Sequence, residues 1–207
     1  MNASNKQRHF IFGYGSLISA VSRAKTGETG RVWPAVLTGY QRHWSIMTTE
    51  FGMSSVAVTQ SNSSKDTTMC NGVLIEIDEN ELGAFDIREQ GYERALVSSE
   101  QLRAYAGVLP IGKIWVYHSV TITHPSQECP ITLSYLDVIL AGCLEYGHAF
   151  TEDFLTMTQG WKNVVINDRQ QPRYPRFQAE LNTHQFTSSL LPVTNLSEKE
   201  LSVSYEP

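Results

Sequence analysis

Two short segments carry residue types suited to chemistry. Phe12-Gly13-Tyr14-Gly15-Ser16-Leu17 follows an apolar run from His9 to Phe12, so a strand runs straight into a two-glycine turn that carries a hydroxyl. Arg88-Glu89-Gln90-Gly91-Tyr92 supplies a carboxylate in mid-chain. Glycines let a ligand approach the main chain closely, and successive amides in such a turn can cradle a carboxylate or a developing oxyanion. A tight turn with no ligand fits the same residues. The turn is not a GxGxxG dinucleotide fingerprint, a Walker phosphate loop or a GxSxG elbow. No His and acid at fixed spacing accompany Ser16, so a nucleophilic role for it has little support.

Glu89 is the candidate proton-transfer group. Leu82, Phe85 and Glu89 fall at i, i+3 and i+7, which places them on one stripe of a continuous helix. If Leu82 and Phe85 face the core, Glu89 faces the interior or a pocket opening into it. Lost hydration there raises a carboxyl pKa toward the range useful for general acid/base work. The alternative is structural: an ion pair with Arg88 or Arg94, or a frayed helix end that leaves Glu89 in solvent. The histidines (His9, His43, His118, His124, His148 and His184) show no HExxH or other close metal spacing. Tyr14, Trp33, Tyr40, Trp44 and Trp115 read as core rather than as a stacking platform. Arg173-Tyr174-Pro175-Arg176 reads as a solvated loop, with contact to an anionic substrate group as the second option.

These residues need elements to position them. Strands are expected at His9 to Phe12, across Val32 to Met47 (one bent strand or two short ones), at Ser55 to Thr59, at Val73 to Ile77, at Tyr92 to Ser98 and at Ile111 to Ser119. The Ser/Asn/Lys/Asp/Thr cluster from Gln60 to Thr68 reads as an exposed hairpin connection. Asp78 is a plausible N-cap with Glu81 as capping-box partner, opening a helix that ends near Gly91. Tyr135, Leu136, Ile139, Leu140, Cys143 and Leu144 recur at helical spacing, from Pro130 or Thr132 to Gly147. A short helix is expected from Glu152 to Thr158. Early strands and a late helix, without regular βαβ alternation, favour an α+β fold with a curled sheet or barrel and flanking helices.

Bulk properties set the remaining bounds. The 207 residues fit a single domain, 1–207, with a core over about 9–180 and a polar Ser/Thr-rich tail over 182–207 that is a candidate for mobility. An apolar fraction of 41% and an aromatic fraction of 10% suffice for a hydrophobic core. The net charge is -5, from 16 Lys and Arg against 21 Asp and Glu, and no dense basic run exists, which argues against a nucleic-acid partner. No apolar run approaches the ~18 residues of a membrane span, and the polar start argues against a secretory signal. Cys70, Cys129 and Cys143 are widely spaced, which fits reduced thiols in a cytoplasmic protein better than zinc or a disulfide framework.

The two chemical segments together resemble the gamma-glutamylcyclotransferase-like family, whose members carry a Phe/Tyr-Gly-Tyr-Gly-Ser-Leu/Asn loop after the first strand and an acidic residue in a mid-chain helix. Arg88-Glu89-Gln90-Gly91-Tyr92 and Gly39-Tyr40-Gln41-Arg42-His43-Trp44 look most like the ChaC group. Asn71-Gly72-Val73-Leu74 and Tyr135-Leu136-Asp137 to Gly142 sit where the family has a sheet strand and a late helix, so the match runs loosely from Phe10 to Phe150. The resemblance implies a small mixed β-barrel with flanking helices and no metal or organic cofactor. It implies cleavage of a γ-glutamyl compound by attack of its own α-amine, releasing 5-oxoproline, with links to glutathione metabolism. Glu89 would then be the catalytic base and acid. The backbone around Tyr14, Gly15, Ser16 and Leu17 would bind the substrate, and Tyr92 would border the pocket. Tyr174 is a candidate for the family's late tyrosine. Thr48-Thr49-Glu50-Phe51-Gly52-Met53 departs from the basic stretch of the ChaC group, so glutathione itself is not specified. A non-catalytic module of the same fold, binding a small molecule or a partner, is the alternative, and the oligomeric state is open.

Overall fold

Every residue of the first strand is buried, which is why His9-Phe10-Ile11-Phe12 reads as an unbroken apolar run rather than an alternating one. The computed structural model describes residues 7–61 and 68–176, together with Thr183 and Thr187. In chain order the strands are β1 (His9–Gly13), β2 (Val32–Thr38), β3 (Tyr40–Ser45), β4 (Ser55–Gln60), β5 (Met69–Ile77), β6 (Glu93–Val97), β7 (Leu102–Ala104), β8 (Lys113–His118), β9 (Ile131–Thr132), β10 (Thr158–Gln159) and β11 (Val165–Ile166). The helices are α1 (Ala20–Ala24), α2 (Leu82–Arg88), α3 (Leu133–Leu144) and α4 (His148–Thr156).

The main sheet has six strands in the order β6-β8-β1-β5-β2-β7. In it β1 lies antiparallel to β5, with Ile11 opposite Ile75, and parallel to β8, with Ile11 opposite Trp115. A separate sheet holds β10-β3-β4, and β9 pairs with β11. This is the expected α+β arrangement of a mixed sheet with flanking helices. Among the described residues the ladders form separate sheets and do not close into a barrel. No helix among the described residues is long and apolar enough to cross a membrane.

Of the two strand alternatives for Val32 to Met47 the second is found, and the connection after β4 differs from the sequence reading. Val32 to Met47 forms two strands that belong to different sheets, divided at Gly39, whose φ of +80° suits glycine and few other residues. The segment between β4 and β5 does not close a hairpin, because β4 pairs with β3 while β5 pairs with β1 and β2. Residues 62–67 of that loop lie outside the described residues. Asp78 does cap, accepting from the Asn80 amide at 3.0 Å, but it opens a 3-10 turn (Glu79–Glu81) that leads into α2. A complete capping box forms elsewhere, between Ser98 and Gln101.

Helix α3 is buried almost all round, from Leu133 to Cys143, as an apolar helix inside a core must be. Its backbone presses on the turn after β1: a Cβ at Gly142 would collide with the Ser19 backbone. The chain after β11 is tied to α3 by buried polar contacts. Arg169 donates to both carboxylate oxygens of Asp137 at 2.6 and 2.7 Å, and Asp168 accepts from the Ser134 amide and hydroxyl at 2.8 and 2.6 Å. Thr183 is buried and donates to Asp137. Otherwise the polar tail lies outside the described residues, Thr187 excepted.

Candidate active site

The glycine turn leaves β1 and enters a 3-10 turn (Ser16–Ile18), closed by the Ile18 amide donating to the Gly15 carbonyl at 2.9 Å. The first amides of such a turn, those of Ser16 and Leu17, find no acceptor inside it. Neither glycine of the turn has a positive φ. Their role is close approach. A Cβ on Gly15 would meet Val56 Cγ2 at 2.7 Å and Tyr135 Oη at 3.2 Å, and one on Gly13 would meet Leu17 Cβ at 2.8 Å.

Behind the turn lies a buried cation. Arg42 on β3 is fully buried and donates to the Tyr14 carbonyl at 3.1 Å, the Asn71 carbonyl at 2.7 Å, Asn71 Oδ1 at 2.8 Å, the Phe154 carbonyl at 3.1 Å and Thr158 Oγ1 at 2.7 Å. Its guanidinium stacks over the Phe154 ring at 3.9 Å. No carboxylate pairs with it among the described residues. Burial pulls its pKa down, and the Cys70 and Cys143 thiols, whose charge would favour it, are themselves pushed up by burial, Cys70 to about 11. Neutral acceptors therefore hold Arg42, and through it the Tyr14 backbone.

The carboxylate arrives from the other side. Phe85 is buried and Leu82 partly so, as the stripe required, but α2 ends at Arg88 and Glu89 is its C-cap, with φ -92° and ψ 29°. The Glu89 side chain, 16% exposed, thus reaches the interior from the end of the helix rather than from its face. Gly91, at φ +98°, then turns the chain so that the Tyr92 amide donates to the Glu89 carbonyl at 3.0 Å. The ion pair anticipated for Glu89 forms with Arg88 at 2.8 Å, while Arg94 pairs with Asp86 at 3.2 Å. Arg88 also donates to Ser16 Oγ at 3.0 Å and to Thr26 Oγ1. Burial pushes the Glu89 pKa above its ordinary value, opposed by the charge and hydrogen bond of Arg88 and the charge of Arg176.

A cavity of about 40 Å³ lies between these walls. Glu89, Tyr14, Gly15, Ser16, Leu17 and Tyr92 all line it, together with Val56, Tyr117 and Tyr135. The Tyr14 hydroxyl donates to the Tyr117 carbonyl at 2.6 Å, and the Tyr92 hydroxyl lies 3.1 Å from both the Val56 carbonyl and Ser55 Oγ. Burial first, then a neighbouring tyrosine (Tyr92 for Tyr14, Tyr135 for Tyr92) and the Glu89 charge, raise the hydroxyl pKa values of Tyr14 and Tyr92 well above 10.0, so both remain hydrogen-bond donors at neutral pH. Tyr135, one of the residues at helical spacing in α3, serves both core and cavity. Tyr174 packs edge-on against it at 4.8 Å between ring centroids. Among the described residues no group of three or more His, Cys, Asp or Glu is placed to hold a metal ion.

The site thus combines a desolvated carboxylate, a guanidinium at its side and a glycine turn whose first amides are not used within the turn itself. The sequence matches no protein-family model and no curated protein. In three dimensions the chain is similar to a gamma-glutamyl cyclotransferase, with a TM-score of 0.56 and 16% identity over 73% of this chain and 88% of that one. It is similar to an uncharacterised protein from Homo sapiens, with a TM-score of 0.52 and 16% identity over 73% and 89% of the two chains. YkqA from Bacillus subtilis gives 0.50 and 20% identity, over 73% of this chain and 54% of that one. What these chains share at such identity is architecture: the fold is gamma-glutamyl cyclotransferase-like.

Proposed function

We propose that this protein is a γ-glutamylcyclotransferase-type enzyme. The observation that carries the reading is the meeting of Glu89 with the Gly13–Leu17 backbone in one cavity, on the fold just described. The substrate's α-ammonium loses a proton to the Glu89 carboxylate, and the freed amine attacks the γ-carbonyl carbon. Backbone amides at Ser16 and Leu17 stabilise the oxyanion or hold the glutamyl carboxylate. As the C–N bond to the leaving group breaks, Glu89 returns the proton to the departing nitrogen, and 5-oxoproline and an amine or amino acid leave. A carboxyl with a raised pKa suits both steps, since it takes and returns the proton at smaller energetic cost near neutrality. A glutamyl group laid against these walls is favoured in the folded conformer that cyclisation needs.

The Arg88–Glu89 ion pair favours a second reading, in which Glu89 is a structural partner and the cavity only binds. One experiment separates the two. Purified protein is assayed for 5-oxoproline release from glutathione, γ-glutamyl dipeptides and γ-glutamyl amines, with Glu89→Gln alongside. The enzyme reading expects release by the parent and a loss of about 10²-fold or more in the variant, with its fold retained. Folded parent protein that releases nothing from any of them supports the binding module.

A further inference from the structure

Beyond the cavity wall, Arg88 and Arg176 both donate to Thr26 Oγ1, so two cations converge on one neutral hydroxyl. Glu89 balances Arg88. Arg176 has no ion pair of its own among the described residues and shares the Glu89 charge with Arg88: its Nη1 donates to the Ser22 carbonyl at 2.9 Å, Ser22 Oγ at 3.4 Å and Thr26 Oγ1 at 3.1 Å, all neutral, while Nε and Nη2 make no hydrogen bond there. The spot therefore carries one surplus positive charge on a chain whose net charge is -5. Like charges brought together out of water repel, and a bound anion removes that repulsion. The free Nε–Nη2 edge of a guanidinium matches a carboxylate with two parallel hydrogen bonds.

The place of this edge relative to the cavity narrows the ligand. Arg88 touches Ser16, which lines the cavity, and Arg176 stands one contact further out, across Thr26. A cavity of about 40 Å³ is comparable with one or two water molecules, so most of a γ-glutamyl substrate, its leaving part included, has to lie outside it. We infer that Arg176, backed by Arg88, docks a carboxylate on the leaving part of the substrate. The preferred substrates are then γ-glutamyl amino acids or peptides with a free carboxylate rather than neutral γ-glutamyl amines. This inference rests on the cyclotransferase reading for the word substrate, but the anion site can be tested without turnover.

The test titrates γ-glutamylalanine and γ-glutamylalaninamide by calorimetry into Glu89→Gln protein, in which turnover is slowed about 10²-fold or more. The acid binds at least tenfold more tightly than the amide. Adding Arg176→Gln brings the two ligands within twofold of each other, and Arg176→Lys, which keeps the charge but loses the planar edge, falls between. If the Gln variant melts out, the Lys variant carries the comparison. Equal binding of acid and amide, an equal loss of both in the Arg176 variants, or no binding of either overturns the inference. Parent protein assayed for 5-oxoproline with the same pair keeps the two claims apart. Discrimination without release sinks the cyclotransferase reading and leaves the anion site standing, and release without discrimination does the reverse.

Discussion

The Nε of Arg88 lies 2.8 Å from Oε1 of Glu89, although neighbours one residue apart on a helix point to different faces. The contact is possible because α2 stops between them: Arg88 is the last helical residue and Glu89 leaves the helix at ψ 29°. The carboxyl is thereby pulled in two directions, upward in pKa by burial and downward by its guanidinium neighbour, and burial is the larger influence.

A pH profile reads that balance. The base form of Glu89 must be ionised, so the acid limb of 5-oxoproline release should lie above the ordinary carboxyl value of 4.5. Arg88→Met removes both of the leading downward influences and should move the limb to higher pH, and Arg176→Gln should move it the same way by less. A limb that stays or falls in Arg88→Met refutes the assignment. Stability follows the same sign. A raised folded pKa makes the neutral carboxyl the favoured form, so its contribution is complete below 4.5 and is lost as pH rises through the raised value. Parent minus Glu89→Gln unfolding free energy should therefore decline across that window.

Gly15→Ala tests the packing of the turn. The added methyl would sit 2.7 Å from Val56 Cγ2, so either the turn or β4 must shift. Overpacking of this kind costs about 1–3 kcal/mol, and the displaced amides should raise KM at least tenfold. Urea unfolding and the 5-oxoproline assay measure the two effects.

Arg42→Met should be among the most damaging substitutions in the chain. It removes the Arg42 donor from the Tyr14 and Asn71 carbonyls and from Asn71 Oδ1 in a dry interior, a loss of about 3 kcal/mol or more, while the Phe154 carbonyl keeps the Thr158 hydroxyl as a donor. Arg42→Lys should recover only part of it, because three ammonium protons cannot replace a five-donor fork. Chemical denaturation of both variants gives the comparison.

Asp137→Asn leaves Arg169 charged at a site where both side chains are under 4% exposed. Breaking one partner of such a pair costs about 3–5 kcal/mol. The Tyr174 ring should also loosen from Tyr135, which near-ultraviolet circular dichroism would register.

Much of this was legible in the residues. The apolar run of β1 states its burial and the 3.6-residue spacing of α3 states a helix, but β5 and α3 are covered on more sides than their spacing shows, since both lie inside the core. The six candidate site residues come from two segments marked by a two-glycine turn and by a carboxylate in register with Leu82 and Phe85, and they line one cavity. What was hidden depends on long-range geometry. That β2 and β3 part at Gly39 into different sheets is decided by which partners they find, and the apolar pattern is the same either way. Tyr135 looks like any core position on α3 because the cavity borders the core. Arg42 defies composition rules, since a fully buried cation held by neutral acceptors has no sequence signature. Arg176 gains meaning only when a residue 88 positions earlier comes beside it.

The strand order carries a kinetic consequence. The glycine turn follows β1, which is hydrogen-bonded on both sides in the middle of the six-stranded sheet, whereas Glu89 and Tyr92 precede β6, an edge strand paired only with β8 among the described residues. One wall of the cavity is therefore anchored in the most protected part of the molecule and the other in a segment that opens at lower free energy. Amide hydrogens of Glu93–Val97 should exchange with solvent well before those of His9–Gly13. A ligand held between the walls would slow the first set most, which makes deuterium uptake at β6 a direct report of occupancy that needs no knowledge of the reaction.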